Sequence, residues 1–353
     1  MKPLASQGLL VVLLAGCGGA RTEGDGGEDP GIDEVIGEAA DVVEEEEPPA
    51  GWTVTFFVVG DPHCNAEPDD DQFYMSAAIG RVAAEGQWPA YIRGIETGLE
   101  VGPIGEPEAV VFVGDVTGSG DMTPWASELE TFRRFYEAGA GDDAIAFSSY
   151  VGLGNHDLDR DGFEAETFRA AMWRYVEGRH GAVDAPVPAG SFHDGSRNYS
   201  WDWEGLHLVQ GHTFVGDTKW DRPPGLDWLA EDLAGHAGPV VLFQHYGLDT
   251  FGLDDEWWTD DDRAAWLGVI EDHDVVAVIA GHSHYAMNYT WSGLDIYQVN
   301  NVKGEFGEGN RDGYGSFGIF RVSDEGLEMV TCRALDDTGA YEFVAPVVVA
   351  AFD

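Results

Sequence analysis

Cations are scarce in this chain. Lys and Arg together number 18 against 65 Asp and Glu in 353 residues, a formal charge of -47. Binding to nucleic-acid backbones depends on Lys and Arg displacing counterions, so the composition excludes a nucleic-acid-binding surface. The same surplus of acid favours solubility and opposes self-association. Long apolar runs are also missing: no stretch approaches 18 consecutive apolar residues, so none reads as a membrane span. A Gly-rich loop at Gly118-Ser119-Gly120 is not followed by Gly-Lys-Ser/Thr, which excludes a P-loop. Cysteine is limited to Cys17, Cys64 and Cys332.

The N-terminus has the layout of an export signal. Met1-Lys2 is a short basic start, Leu9 to Leu14 is an apolar core too short to span a bilayer, and Leu14-Ala15-Gly16-Cys17 resembles a bacterial lipobox. Residues 1–17 are therefore expected to be a signal peptide ending in a lipidated Cys17. That implies a membrane-anchored lipoprotein in the cell envelope or outside the cell. Residues 18–50 carry much of the acid, with twelve Asp/Glu and one Arg between Arg21 and Glu47. They lack aromatics and read as a tether. Lipidation would leave Cys64 and Cys332, for which a disulfide, a thiolate ligand to a metal and a buried thiol all stay open.

Residues 51–353 read as one folded domain with 44% hydrophobic residues in the whole chain and 12 Trp to build its core. Apolar strand patterns at Thr53–Val59, Ala109–Val113, Ile145–Val151, Pro239–Phe243 and Val275–Ala280 alternate with helical segments at Asp71–Glu85, Pro124–Ala138, Phe163–Glu177, Gly225–Leu233 and Asp260–Glu271. Such alternation indicates an α/β fold. Asp260-Asp261-Asp262 opens the last helix, where acids complement the dipole. Asn198–Trp203 and Leu206–Gly211 suggest a hairpin. After His284 a run of strands with Gly turns is expected to complete a second sheet, giving an α/β/β/α sandwich.

Each of the five early strands stops in metal-ligand residue types. They are Asp61 and His63, then Asp115, then Asn155-His156-Asp157, then His245, then His282 and His284. Side chains at strand carboxyl ends lie along one edge of a sheet, where open α/β folds bind ligands. The glycines before Asp115, Asn155 and His282 would give the backbone freedom to turn sharply. Mixed Asp/His/Asn ligation suits Fe, Mn or Zn better than Ca or Mg.

In order, Asp61-x-His63, Gly114-Asp115, Gly154-Asn155-His156-Asp157, His245 and Gly281-His282-x-His284 resemble the five blocks of the calcineurin-like metallophosphoesterase superfamily. Asn198 to Asp202 is similar to that family's hairpin before the fourth block. The resemblance implies two divalent or trivalent metal ions, with Asp61, His63 and His284 on one and Asn155, His245 and His282 on the other. Asp115 would bridge both. It implies hydrolysis of phosphate mono- or diesters by a metal-activated hydroxide, with His156 directed at the phosphoryl oxygens or the leaving group. Asp157 would orient a ring or cap its turn.

The chain departs from that pattern three residues after Asp115. Where related phosphatases carry an Asp partner for the catalytic His, or an iron-ligating Tyr, this sequence has Gly118. Asp121 is the remaining candidate partner. His180, His193, His207, His212, His236 and His273 lack ligand context and read as surface or satisfied core residues. Trp257-Trp258 reads as core, and Arg160 and Arg197 lie near site segments and could grip a phosphate oxygen. The competing reading is a non-catalytic surface-binding lipoprotein with a structural metal site. A metallo-β-lactamase-like hydrolase is excluded because His-x-His-x-Asp-His is absent.

Overall fold

The first strand, β1 (Thr53–Val59), has neighbours from both ends of the chain, and this pairing sets the architecture. The computed structural model describes residues 51–68, 70–118, 125–159, 165–220, 223–248, 258–302 and 315–352. These fall in one compact unit, Glu45–Asp353. After β1 come α1 (Asp70–Glu85), a small ribbon of β2 (Tyr91–Ile92) and β3 (Ile95–Glu96), β4 (Val110–Val113), α2 (Trp125–Tyr136) and β5 (Ser149–Gly152). Next are α3 (Asn155–Leu158), α4 (Ala165–Val176) with a π-helical turn at Glu177–Gly181, β6 (Ser191–Phe192), β7 (Tyr199–Trp203) and β8 (Leu206–Gln210). The chain continues through α5 (Leu226–Ala234), β9 (Val240–Phe243), α6 (Asp260–Ile270) and β10 (Val275–Ala280). It ends in β11 (Met287–Trp291), β12 (Leu294–Gln298), β13 (Ser316–Ser323), β14 (Gly326–Ala334) and β15 (Tyr341–Ala351).

Two large sheets result, ordered β15-β14-β13-β1-β4-β5 and β11-β12-β10-β9-β8-β7-β6. β1, β4 and β5 run parallel, as do β8, β9, β10 and β12. Alternation within the central strands sorts their side chains into two layers. Val241, Phe243, Ala277 and Ile279 face the core shared with the first sheet, while Val240, Leu242 and Val278 join Leu229, Leu233, Trp266 and Ile270 of the helices behind. Phe56 meets Phe243 across the sheets at 5.8 Å between ring centroids, and Tyr297 meets Phe320 at 5.8 Å. On the other face of the first sheet Phe112 packs edge-on against Phe132 of α2 at 5.0 Å. The layers are thus α/β/β/α, as expected.

Two expectations are corrected. Not all of the strands after His284 complete the second sheet. β11 and β12 join it, but β13 pairs antiparallel with β1, from Thr53 opposite Ser323 to Val58 opposite Gly318, and carries β14 and β15 into the first sheet. The five ligand-bearing strands also do not share one sheet: β1, β4 and β5 lie in the first, β9 and β10 in the second. Local pattern marks a strand but carries no information on its partner, and these partners are far apart in sequence.

Smaller readings hold. Thr259 caps α6 by accepting from Asp262 N, and Asp262 returns a bond to Thr259 N, so the acidic run does cap the helix. Trp258 is buried against Phe214 and Trp266; Trp257 lies outside the described residues. Cys64 and Cys332 are buried thiols not joined in a disulfide, and Cys64 Sγ donates to Gln72 Oε1 at 3.4 Å. Among the described residues no helix is long and apolar enough to cross a membrane.

His180 shows what a satisfied core histidine requires. It stacks on Tyr199, donates Nδ1–H to Val187 O at 2.8 Å and accepts from Val151 N at 3.2 Å. Burial pushes its imidazole down to about 3. The folded state then binds fewer protons than the unfolded one below pH 6.5, and the stability this group contributes is lost as pH falls toward 3. His180→Gln, which keeps a donor and an acceptor, is expected to flatten the fall of urea-unfolding free energy between pH 6.5 and 4 relative to the wild type. An unchanged pH slope would contradict this assignment.

Candidate metal centre

The carboxyl ends of β1, β4 and β5 meet those of β9 and β10 along the same edge of the sandwich. There the backbone is forced into conformations that L-residues avoid. Asp61, His63, Asp115, His282 and His284 have φ of 49°, 46°, 52°, 66° and 57°. They make up half of the ten such non-Gly residues among those described. Each residue held this way costs on the order of 1 kcal/mol or more, sustained only where the surroundings over-determine it. Here Asp61 N donates to Gly114 O, His63 N to Asp115 O and Gly281 N to His245 O, tying the strand ends together.

The glycines serve two different purposes. Gly114 has φ 104° and needs its freedom. Gly154 and Gly281 do not have positive φ, contrary to the turn argument. A Cβ at Gly154 would overlap Asp115 Oδ1, and one at Gly281 would stand 2.6 Å from Asp61 Oδ2. At these two positions glycine is required by the close approach of a carboxylate.

Asp61, His63 and His284 bring one ligand atom each within 4.8 Å of one another, and so do Asp115, His245 and His282. His63 and His284 face each other through Nε2 at 3.1 Å. Asp61 Oδ1 lies 3.4 Å from His284 Nε2 and 3.9 Å from His63 Nε2. Asp115 Oδ2 stands between the groups, 3.7 Å from His63 Nε2 and 3.2 Å from His245 Nε2. Asn155 Oδ1 is 3.0 Å from the same His245 nitrogen. Asp61, Asp115 and His245 are 0–1% exposed.

Electron-pair donors this close need a shared proton or a metal ion between them. His245 donates Nδ1–H to Val113 O at 2.9 Å, which leaves Nε2 to face Asp115 and Asn155. Around an ion with bonds of about 2.0–2.2 Å, donors stand roughly 3–3.6 Å apart. That window holds the spacings of 3.0–3.4 Å while the two longer ones to His63 exceed it, and the donor set suits a transition-metal site. Burial opposes charge throughout the cluster. Against that burial, Asp115 and Asp61 raise the His245 imidazole to about 9, while the histidines hold the Asp115 carboxyl well below its usual range. For His63 burial dominates and pushes the ring down to about 4. A metal takes the place of the proton that such a pair holds.

His156 lies at the rim, its ring edge-on to His63 with centroids 4.6 Å apart. Its N–H donates to Asp115 Oδ1 at 2.8 Å, and its Nδ1 is 3.3 Å from the Gly118 carbonyl. The Gly118 main chain is thus one partner of the ring; Asp121, the carboxylate candidate, lies outside the described residues. Asp157 caps the turn. It accepts from Val116 N at 3.1 Å, Thr117 N at 2.9 Å, Thr117 Oγ1 at 2.7 Å and Gly154 N at 2.9 Å.

Other supporting residues carry no signal in the sequence. His212 accepts from Leu153 N, donates Nε2–H to Arg197 O and receives His245 N on its carbonyl at 2.6 Å, so it sets the backbone beneath a candidate ligand. Asn301 reaches His284 Nδ1 at 3.3 Å. Arg197 pairs with Glu177 at 2.9 Å, and Arg160 lies outside the described residues. His193 bonds Ser196 Oγ at 2.7 Å. His273 donates its backbone N–H to Ile270 O. His207 and His236, expected to be without ligand context, instead form a group with Asp202.

The Asp157 contacts yield a stability prediction. Asp157→Ala strands three buried backbone N–H groups at Val116, Thr117 and Gly154, and is expected to lower the unfolding free energy by about 3 kcal/mol or more. A urea midpoint unchanged from the wild type would contradict it.

The family model described as calcineurin-like phosphoesterase matches residues 54–286. A probable cyclic nucleotide phosphodiesterase of Rhodococcus erythropolis is 28% identical over 229 residues, covering 62% of this chain and 67% of that protein. A cAMP/cGMP dual specificity phosphodiesterase of Mycobacterium tuberculosis is 28% identical over 193 residues, covering 54% of this chain. The match spans about half of that relative, 52% of its length. Among solved structures, a dimetal phosphatase from Danio rerio has a TM-score of 0.54 at 13% identity, covering 85% of this chain and 99% of that one. At that identity the likeness is one of fold. The family pattern runs from β1 through the histidines after β10, and this chain belongs to the calcineurin-like phosphoesterases, metal-dependent hydrolases of phosphoric esters.

Proposed function

We propose that the protein hydrolyses phosphodiesters of the cyclic-nucleotide class at a centre of two metal ions. The observation that carries this reading is the convergence of Asp61, His63, Asp115, Asn155, His245, His282 and His284 from two sheets, with the Asp115 carboxylate between the two groups. Asp61, His63 and His284 would hold one ion, Asn155, His245 and His282 the other, and Asp115 both. The ions would be Fe, Mn or Zn. When bound they would supply Lewis-acid polarisation of the phosphoryl oxygens and activation of water.

The chain's own groups have separate tasks. The tied strand ends hold the donors in place before substrate arrives, so little reorganisation accompanies reaction. His156, anchored at Nδ1 near the Gly118 carbonyl, would stabilise phosphoryl charge or donate a proton to the leaving oxygen. The charge of -47 favours a diester over a monoester: a monoanion approaches an acidic surface with less repulsion than a dianion. Both relatives at 28% identity carry names for cyclic nucleotide cleavage, which supports the same substrate class.

The protein loaded separately with Mn, Zn and Fe is expected to turn over bis-p-nitrophenyl phosphate and cyclic AMP faster than p-nitrophenyl phosphate, with two centre ions per chain. Preference for the monoester would overturn the diester assignment, and bound metal without turnover of any ester would favour a binding role. Asp115→Asn is expected to cost at least about 100-fold in activity together with one ion. Unchanged turnover and metal content in that variant would sink the bridging role.

The location of the enzyme is a separate proposal. Leu14-Ala15-Gly16-Cys17 supports processing at Cys17 and anchoring by lipid in the cell envelope, although these residues lie outside those described. In a bacterial host, labelled fatty acid is expected in the wild type and absent from Cys17→Ser. Equal labelling of both would remove the anchor.

A further inference from the structure

A second group of metal-ligand side chains lies on the opposite edge of the second sheet. Asp202 on β7 stands directly across from His207 on β8, and His207 is level with Val240 at the amino end of β9. The candidate centre lies at the other end of that strand, beyond Phe243. His236 comes from the loop after α5, and the Asp202, His207 and His236 ligand atoms lie within 4.8 Å of one another.

The arrangement has the parts of a built site. His207 Nδ1 is 2.8 Å from Asp202 Oδ1, and His236 Nδ1 is 3.6 Å from the same oxygen. Donors around a tetrahedral ion with bonds of about 2.0–2.1 Å stand roughly 3.3 Å apart, a value these spacings bracket. The two imidazoles stack with centroids 3.5 Å apart and planes 22° from parallel, so both rings present Nδ1 toward one carboxylate. Behind them, the buried Asp232 carboxylate lies 3.0 Å from His207 Nε2 and is itself held by Ser200 Oγ at 2.9 Å. A carboxylate on the far nitrogen of a histidine fixes the tautomer, leaving Nδ1 as the electron-pair donor, and raises its basicity as a ligand. Asp232 is 6% exposed at its side chain, His207 3%, His236 30% and Asp202 54%, so the group is firm at its base and open to solvent on one side.

We propose that Asp202, His207 and His236 form a second metal site, distinct from the phosphoesterase centre, that binds a zinc-type dication with Asp232 as the support for His207. Two imidazoles, one carboxylate and an open position suit a borderline transition metal rather than Ca or Mg. The site stands on the β7–β8 hairpin and the end of α5, so an ion there joins a sheet edge to the helix covering it.

The test uses the full chain and zinc alone as probe. Equilibrium dialysis against Zn2+ is expected to count one ion more per chain in the wild type than in His236→Gln or Asp202→Asn. Both changes are at solvent-accessible positions, so folding is checked by circular dichroism and thermal midpoint without zinc. Phosphodiesterase turnover should be unchanged in both, which separates this site from the catalytic centre. Asp232→Asn is expected to weaken the extra ion's binding by about 10–100-fold. Equal zinc counts in the wild type, His236→Gln and Asp202→Asn would overturn the proposal, leaving the group as a histidine held between carboxylates.

Discussion

A buried carboxylate must be surrounded by compensating donors or cations, and Asp115 is the place where this protein meets that requirement. At 1% exposure its charge is removed from water, a penalty of several kcal/mol without partners. The partners come from everywhere: His156 N on the third strand end, His245 on the fourth, and His63 on the first. No single sheet can provide them. The two sheets therefore have to pack with their carboxyl edges in line, and the aromatic layer between them, with Phe56 against Phe243, keeps that alignment.

The same requirement explains the strain. A strand that continued straight would carry each i,i+2 pair, Asp61 with His63 and His282 with His284, onto one face of its own sheet and past the edge where the other strand ends meet. Turning Asp61, His63, Asp115, His282 and His284 into the left-handed region brings them back to it, and the bonds of Asp61 N to Gly114 O and of His282 N to Asp61 compensate. Asp157 closes the opposite side of this frame by gathering Val116, Thr117 and Gly154. Burial and the neighbouring Asp115 raise the Asp157 carboxyl to about 7, and the hydrogen bonds from Gly154 N, Thr117 N and Thr117 Oγ1 act against that rise. The frame of the centre thus rests in part on Asp157, a fully buried residue outside the candidate ligand set.

The second sheet links two clusters of histidine and carboxylate at its two ends. Both follow one physical scheme, in which an imidazole is fixed through one nitrogen and offers the other. His245 is fixed by the Val113 carbonyl, His207 by the Asp232 carboxylate. They differ in closure. The first cluster draws on strand ends of both sheets, whereas the second is formed by one hairpin and the loop after one helix and is open to solvent at Asp202.

Much of the first centre was legible in the sequence because strand pattern and ligand type are both local. A run such as Val275–Ala280 followed by His282 and His284 announces a buried strand and two donors without reference to anything distant. The bounds of β1 and β10 follow from that alone, and the resemblance of the five blocks to the family singled out the candidate ligands among the strand-end residues. What tertiary structure decided was pairing: β13 beside β1, the division of five strand ends between two sheets, the Gly118 carbonyl beside His156, and Asp232 behind His207. These are meetings between segments whose periodicity is the same whichever partner they take. Side-chain chemistry along the chain determined which atoms could bind a metal; the packing of two sheets decided which of them stand within reach of one another.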